Sequence, residues 1–234
     1  MSKKTVSNAI LKEMIVRLQI DNYKFCKNLS NHEVSFFIKE IDTIRLVVTY
    51  TVSGRGSYSA FGTITVIYKE LTRTLSALLA NSPFAQDYDL DNQANVLAGV
   101  GVRSEVGKYA TDNTTYYCAS EAEAKEFALN FSRQIKSEED NFAQPHRDLA
   151  VTLKQFNKPM HAFWPGPLKV FLEHLVATGI QNADPEMIQY AFRKADDVCN
   201  KLVPEACPTA FISLLKQRVG QLDFMQDPGL HGEG

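Results

Sequence analysis

Excess charge of either sign is missing from this sequence: 25 Lys and Arg stand against 27 Asp and Glu, a formal net charge of −2. Nucleic-acid binding draws its affinity from several phosphate contacts and leaves a strong basic stripe, so that role is not expected. Long apolar runs are missing too. The longest are a few residues, against the ~20 that span a bilayer, so no membrane partner is expected. Near the N-terminus, Lys12, Glu13 and Arg17 interrupt the apolar stretch that a signal peptide requires. The expectation is a soluble, cytoplasmic protein. Cysteine is sparse: Cys26, Cys118, Cys199 and Cys207 stand apart, with no Cys-x-x-Cys. A secreted disulfide scaffold is shorter and denser in cysteine. Cys199 and Cys207 are close enough in sequence to suggest a metal or a disulfide. Pro204 and Pro208 read instead as a helix–helix bend, and buried free thiols are the expectation.

Recognisable catalytic and cofactor motifs are also lacking. Gly54-Arg55-Gly56 suggests a phosphate cradle, but a P-loop leads into a helix and carries Lys-Ser/Thr at fixed spacing. Here FGTITVIYK follows, which reads as a strand. The run 97–102, with Gly99 and Gly101, likewise has no helix after it to hold a dinucleotide. Glycines in such a run mark a bulge or a close backbone approach. Asp87, Asp89 and Asp91 alternate like the first half of a calcium loop. Asn92 stands where that loop needs glycine and Ala98 where it needs glutamate, so a solvated acidic loop is expected. His32, His146, His161, His174 and His231 include no i, i+4 pair on a helix, and Glu173-His174 is expected on the surface of a helix. No Gly-x-Ser-x-Gly elbow marks a nucleophile. No catalytic residue, cofactor-binding residue, metal ligand or cofactor is assigned.

What the sequence does contain is ordered apolar periodicity. Hydrophobic residues make up 44% and charged residues 22%, enough for a proper core. At 234 residues the chain suits one large domain or two small ones. Val6, Ile10, Met14 and Leu18 recur four apart and predict an amphipathic helix. Strand alternation follows. YKFCKNL is a plausible first strand, and HEVSFFIKEI sets Val34, Phe36 and Ile38 against Ser35 and Lys39. IRLVVTYTV sets Leu46, Val48, Tyr50 and Val52 on one face, and FGTITVIYK sets Ile64, Val66 and Tyr68. SGRGSYSA is then the hairpin connection between these two strands. The connections are short, so the neighbours should be antiparallel. Leu71, Leu75, Leu78 and Leu79 return to helical spacing, and VLAGVGVRSEV and TTYYCA suggest further strands.

Ser120 with Glu123 forms a capping box ahead of the stripe Ala124, Phe127, Ala128, Phe131 and Ile135. Beyond Pro145 the pattern is wholly helical, over 147–156, 167–177, 185–202 and 209–222. Asp184-Pro185-Glu186 marks the start of the third of these, as cap, first-turn proline and acid at the positive end. The fold class is therefore α+β. An N-terminal helix, an antiparallel meander of about 5–6 strands and a capped helix fill residues 1–143. An all-α unit fills 144–226, packed on the sheet or separate, and 227–234 is a tail.

Arg55 and Tyr58 at the hairpin, and Phe163 and Trp164 in the proline-rich stretch 158–171, are the candidate partner-binding residues. Aromatic side chains beside rigid prolines suit an interface edge. The order of elements over residues 6–136 is similar in layout to several small bacterial α+β families, including some toxin-neutralising immunity proteins. That resemblance implies a binding role and transfers no residue. The expected function is a non-enzymatic, cytoplasmic protein-binding module of inhibitor, immunity or adaptor type. The alternatives are an enzyme or small-ligand binder with a dispersed site between the sheet and the C-terminal helices, or a structural homo-oligomer.

Overall fold

The computed structural model describes residues 3–27, 29–30, 34–55, 57–92, 94–106, 120–156, 165–201 and 207–226. Among them are five strands and eight α-helices in an α+β arrangement. No helix among the described residues is long and apolar enough to cross a membrane. The chain divides into two compact units, each drawn from separate stretches of sequence.

The first unit comprises Met1–Ile67, Asn92–Leu97 and Val102–Asp148. Helix α1 (Lys3–Ile20) buries Val6, Ile10, Met14 and Leu18 completely, as their spacing predicts. It packs along α3 (Glu121–Glu138), whose buried stripe is the expected Ala124, Phe127, Ala128, Phe131 and Ile135. The capping box forms as read. Glu123 N donates to Ser120 Oγ at 3.2 Å, and Ser120 N donates to a Glu123 carboxylate oxygen at 2.9 Å. Two orphan donors of the helix terminus are thereby satisfied.

The sheet runs β1 (Lys24–Phe25), β2 (Val34–Ile41), β3 (Ile44–Arg55), β4 (Ser57–Tyr68) and β5 (Gly101–Val106), in spatial order identical to chain order. β1 and β2 pair antiparallel, as do β2 and β3 around the Asp42-Thr43 turn, where Asp42 takes a positive φ of 35°. The first strand is thus far shorter than YKFCKNL suggests. The strand read at TTYYCA lies outside the described residues. β3 buries Leu46, Val48, Tyr50 and Val52 as its alternation requires. β2 reverses the expected face: Ser35 and Phe37 are buried, and Val34, Phe36 and Ile38 are only half-buried. The register explains it. Ser35 and Phe37 stand opposite Tyr50 and Val48 on the core side, where the Phe37 ring lies 5.3 Å from Phe25 and 6.3 Å from Tyr50. A fully buried ring flanked by two others outweighs three apolar side chains left half in solvent. Gly62 on β4 is a forced choice, because a Cβ there would overlap the Phe131 ring and the Thr49 carbonyl oxygen.

Lys39, on the same face of β2 as Phe37, ends at Glu139 at 2.5 Å, and Tyr23 Oη donates to the other oxygen of that carboxylate at 3.0 Å. Glu139 opens the wide turn Glu139–Ala143 that follows α3, so this three-residue group ties the turn to β2 and to the connection between α1 and β1. Burial and the adjacent carboxylate push the Tyr23 phenol well above its usual value, and it stays a donor.

The second unit comprises Tyr68–Asp91, Ala98–Gly101 and Leu149–Gly234. It holds α2 (Lys69–Leu78), a short turn Ala85–Tyr88, α4 (Leu149–Gln155), α5 (Pro165–Gln181), α6 (Pro185–Cys199), α7 (Thr209–Val219) and α8 (Asp223–Gln226). Asp184 caps α6 as read, accepting from Met187 N at 2.9 Å, with Pro185 in the first turn. α5 packs against α2 and α6. Its Gly179 lets Ile188 of α6 approach, since a Cβ there would sit 2.5 Å from Ile188 Cγ1.

Cys199, the last residue of α6, and Cys207, two residues before α7, are joined in a disulfide, with Cα atoms 5.5 Å apart. This overturns the expectation of free thiols for that pair. The bend read at Pro204 falls on residues 202–206, which lie outside the described residues. Cys26 is free, and Cys118 lies outside the described residues.

Candidate functional site

Helix α5 concentrates the unusual chemistry of the described residues. Most globular helices show a polar stripe to solvent, but α5 does not: Leu168, and then Phe171 through Thr178 without a break, are all buried. A helix that is apolar on nearly every side is enclosed on nearly every side, and it carries its few polar groups into the interior. Glu173 and His174 are among them. The expectation of a surface Glu-His pair is therefore wrong: Glu173 keeps 6% of its surface and His174 none.

Glu173 is held by two donors. Tyr88 Oη donates to Glu173 Oε1 at 2.6 Å, and Lys169 Nζ, one turn back on α5, lies 3.7 Å from the same oxygen. Lys169 also donates to Asp87 at 2.8 Å, which draws that member of the Asp87–Asp89–Asp91 loop out of the purely solvated role expected for it. The Lys169 ammonium is further placed 5.3 Å from the Phe211 ring and 5.7 Å from the Tyr88 ring, within cation–π range. Burial pushes the Glu173 carboxyl up to about 7, against the opposing pull of Tyr88 and Lys169. The same burial and the facing carboxylate push the Tyr88 phenol far above its usual value.

His174 sits on an adjoining face. Its Nδ1 lies 2.7 Å from the carbonyl oxygen of Val170, one turn earlier. The Tyr68 ring meets it edge-on at 5.6 Å and the Phe156 ring at 5.2 Å. Burial pushes the imidazole down to about 4, so it is neutral at ordinary pH. Its Nε2 is buried without a hydrogen-bond partner among the described residues, and so is Oγ1 of Thr178, one turn further along α5. Tyr68 hydrogen-bonds the buried Thr152 hydroxyl of α4. Thr72 closes the surround, donating to Tyr68 O at 2.7 Å and accepting from Val100 N at 2.9 Å.

The cluster therefore combines a carboxyl that titrates near neutrality, a neutral imidazole presenting a lone pair, and an unpaired hydroxyl. Polar groups with strongly shifted acidities gathered on one element are a common mark of a site. Among the described residues no group of three or more His, Cys, Asp and Glu side chains is placed to hold a metal ion.

The partner-binding residues expected from the sequence are placed only in part. β3 runs through Arg55 and β4 begins at Ser57, so Arg55 and Tyr58 both belong to strands. The side chains of Arg55 and Tyr58 lie outside what the structure describes, as do Phe163 and Trp164 entirely. Sequence reasoning misses the Glu173–His174 cluster. The one available signal is that PLKVFLEHLVATG offers no polar face for a glutamate and a histidine to occupy.

No protein-family model matches the chain, and no curated protein or solved structure matches it.

Proposed function

We propose that this protein binds a small molecule through the buried polar side chains of α5, the second of the functional classes that its sequence leaves open. The observation carrying this reading is the pair of buried, unpartnered polar atoms one turn apart, His174 Nε2 and Thr178 Oγ1. Leaving such an atom unsatisfied costs ~1–3 kcal/mol, and native proteins retain few without a water, an ion or a ligand to answer them. The test is a thermal-shift screen of the full chain against neutral, anionic and cationic fragments, repeated on His174→Phe and Thr178→Val. The reading expects hits that raise the wild-type Tm and lose their effect in both variants. A screen whose every hit survives both substitutions sinks it.

A second reading, the protein-binding module, is supported by the outer face of α1. Val16 and Ile20, one turn apart, are 57% and 77% exposed on a helix whose opposite face is fully buried. Replacing both by serine should weaken a partner complex measured by native mass spectrometry while leaving the fold unchanged. A complex of equal stability in the variant would remove α1 from the interface. The cytoplasmic location proposed from the sequence would place the Cys199–Cys207 bond in a reducing pool, where such bonds are rare. Thiol trapping in intact cells tests it: a fully oxidised pair argues for another compartment.

A further inference from the structure

Resting on the small-molecule reading, the chemistry of α5 can be pressed to the class of ligand. His174 Nδ1 lies 2.7 Å from the Val170 carbonyl oxygen. A carbonyl only accepts, so Nδ1 carries the hydrogen and the tautomer is fixed. In the neutral ring Nε2 is then an acceptor and nothing else. It calls for a donor.

That requirement sorts ligand classes. A carboxylate offers acceptors alone and would set lone pair against lone pair at Nε2, and a phosphate brings at least one unpaired negative charge into a buried site. An ammonium offers donors but brings an unpaired charge into a buried site, since Glu173, the nearest carboxylate on α5, is already held by Tyr88 and Lys169. A metal ion would find a single imidazole, with no group of three or more ligating side chains among the described residues. A pure hydrocarbon would suit the Tyr68 and Phe156 rings but leave both polar atoms unanswered.

Thr178 narrows the choice further. It stands at i+4 from His174, which on a helix puts the two Cβ atoms about 5–6 Å apart. A threonine hydroxyl both donates and accepts. One hydroxyl group on a ligand matches the pair: its hydrogen goes to Nε2, and its oxygen accepts from Thr178. The Tyr68 and Phe156 rings, with centroids 5.6 Å and 5.2 Å from the imidazole, make its surroundings apolar, which calls for an apolar body on the rest of the molecule. We infer that the ligand is a neutral, hydroxyl-bearing molecule with an apolar or aromatic body, read by His174 Nε2 and Thr178 Oγ1.

The experiment uses the full chain labelled with ¹⁵N-histidine and three matched probes: phenol, toluene and benzoate. Phenol should move the His174 Nε2 resonance while leaving Nδ1 in place. It should bind at least about fivefold more tightly than toluene or benzoate, the worth of roughly one hydrogen bond. Thr178→Val, nearly isosteric, should erase most of that preference and leave toluene binding unchanged. His174→Phe should equalise phenol and toluene; should that variant fail to fold, the threonine variant still decides. If toluene or benzoate matches phenol at this site, the hydroxyl assignment falls and binding at α5 stands. If no probe perturbs His174, both this inference and the reading beneath it fail. If Nε2 already resonates as a hydrogen-bonded acceptor and phenol does not change it, one internal water answers both atoms and the inference is overturned.

Discussion

Replacing Glu173 by glutamine should alter the shape of the stability-versus-pH curve, because Glu173 and His174 are linked to protons with opposite sign. Burial raises the Glu173 carboxyl from 4.5 to about 7. Between those values the folded chain keeps a proton that the unfolded chain has lost. Stability from this group is complete below about pH 4.5 and is lost as pH rises to about 7, a change of ~3 kcal/mol. Burial lowers His174 from 6.5 to about 4. In that window the unfolded chain is the better proton binder, so stability from this group is complete above about pH 6.5 and is lost as pH falls to about 4, again ~3 kcal/mol. Over the shared window the two slopes cancel, and wild type shows little contribution from either. Glutamine still accepts from Tyr88, and Lys169 keeps Asp87. Urea unfolding followed by circular dichroism across this range should therefore show Glu173→Gln gaining ~3 kcal/mol on wild type as pH rises. His174→Phe should lose ground on wild type by a similar amount over its own window. The groups facing Glu173 are Tyr88, Asp87 and Lys169, and Asp87→Asn is the control for their share. Difference curves flat to within about 1 kcal/mol for both variants would refute the linkage.

Reduction of Cys199–Cys207 opens a loop of sequence separation 8 and should destabilise the second unit by ~2.5 kcal/mol, read as a drop in Tm on adding a thiol reductant. Cys199→Ser should reproduce that drop without reductant and abolish further response to it. Gly62→Ala forces a methyl against Phe131 and the Thr49 carbonyl, and a loss of ~2–3 kcal/mol or failure to fold is expected by thermal melting. Ser120→Ala removes the box at the start of α3 and should cost about 1 kcal/mol in chemical denaturation. Tyr23→Phe deletes one donor to Glu139 and should cost about 1 kcal/mol. Because Lys39 still holds that carboxylate, a much larger loss would mean the group acts as one network.

The elements legible in the sequence are those with strong contrast between faces. Val6, Ile10, Met14 and Leu18 stand against charged neighbours on α1, and Ser120 and Asp184 cap helices by local rules that need no distant partner. β2 misleads because both of its faces are apolar, and the deciding contact, Phe37 with Tyr50, comes from the next strand. The α5 cluster misleads for a related reason. Charged residues on a helix are taken to face water, and only Tyr88, 85 positions away, shows that Glu173 has a buried partner. The short spacing of Cys199 and Cys207 suggests the disulfide but does not establish it, because spacing alone does not separate a bonded pair from two free thiols.

The order in which the second unit is assembled has a consequence for synthesis. α2 packs against α5, yet Val102–Asp148, which belong to the first unit and include α3, are made between them. Ribosomes add ~5–20 residues per second, so the buried side chains Leu71 and Leu75 emerge roughly 5–20 s before α5 can cover them. During that interval the nascent chain carries an uncovered apolar helix while the first unit is being completed. Slowing elongation should lengthen this exposure and raise the fraction of chains bound by a holdase, whereas a chaperone-independent yield would show that α2 remains unstructured until α5 arrives.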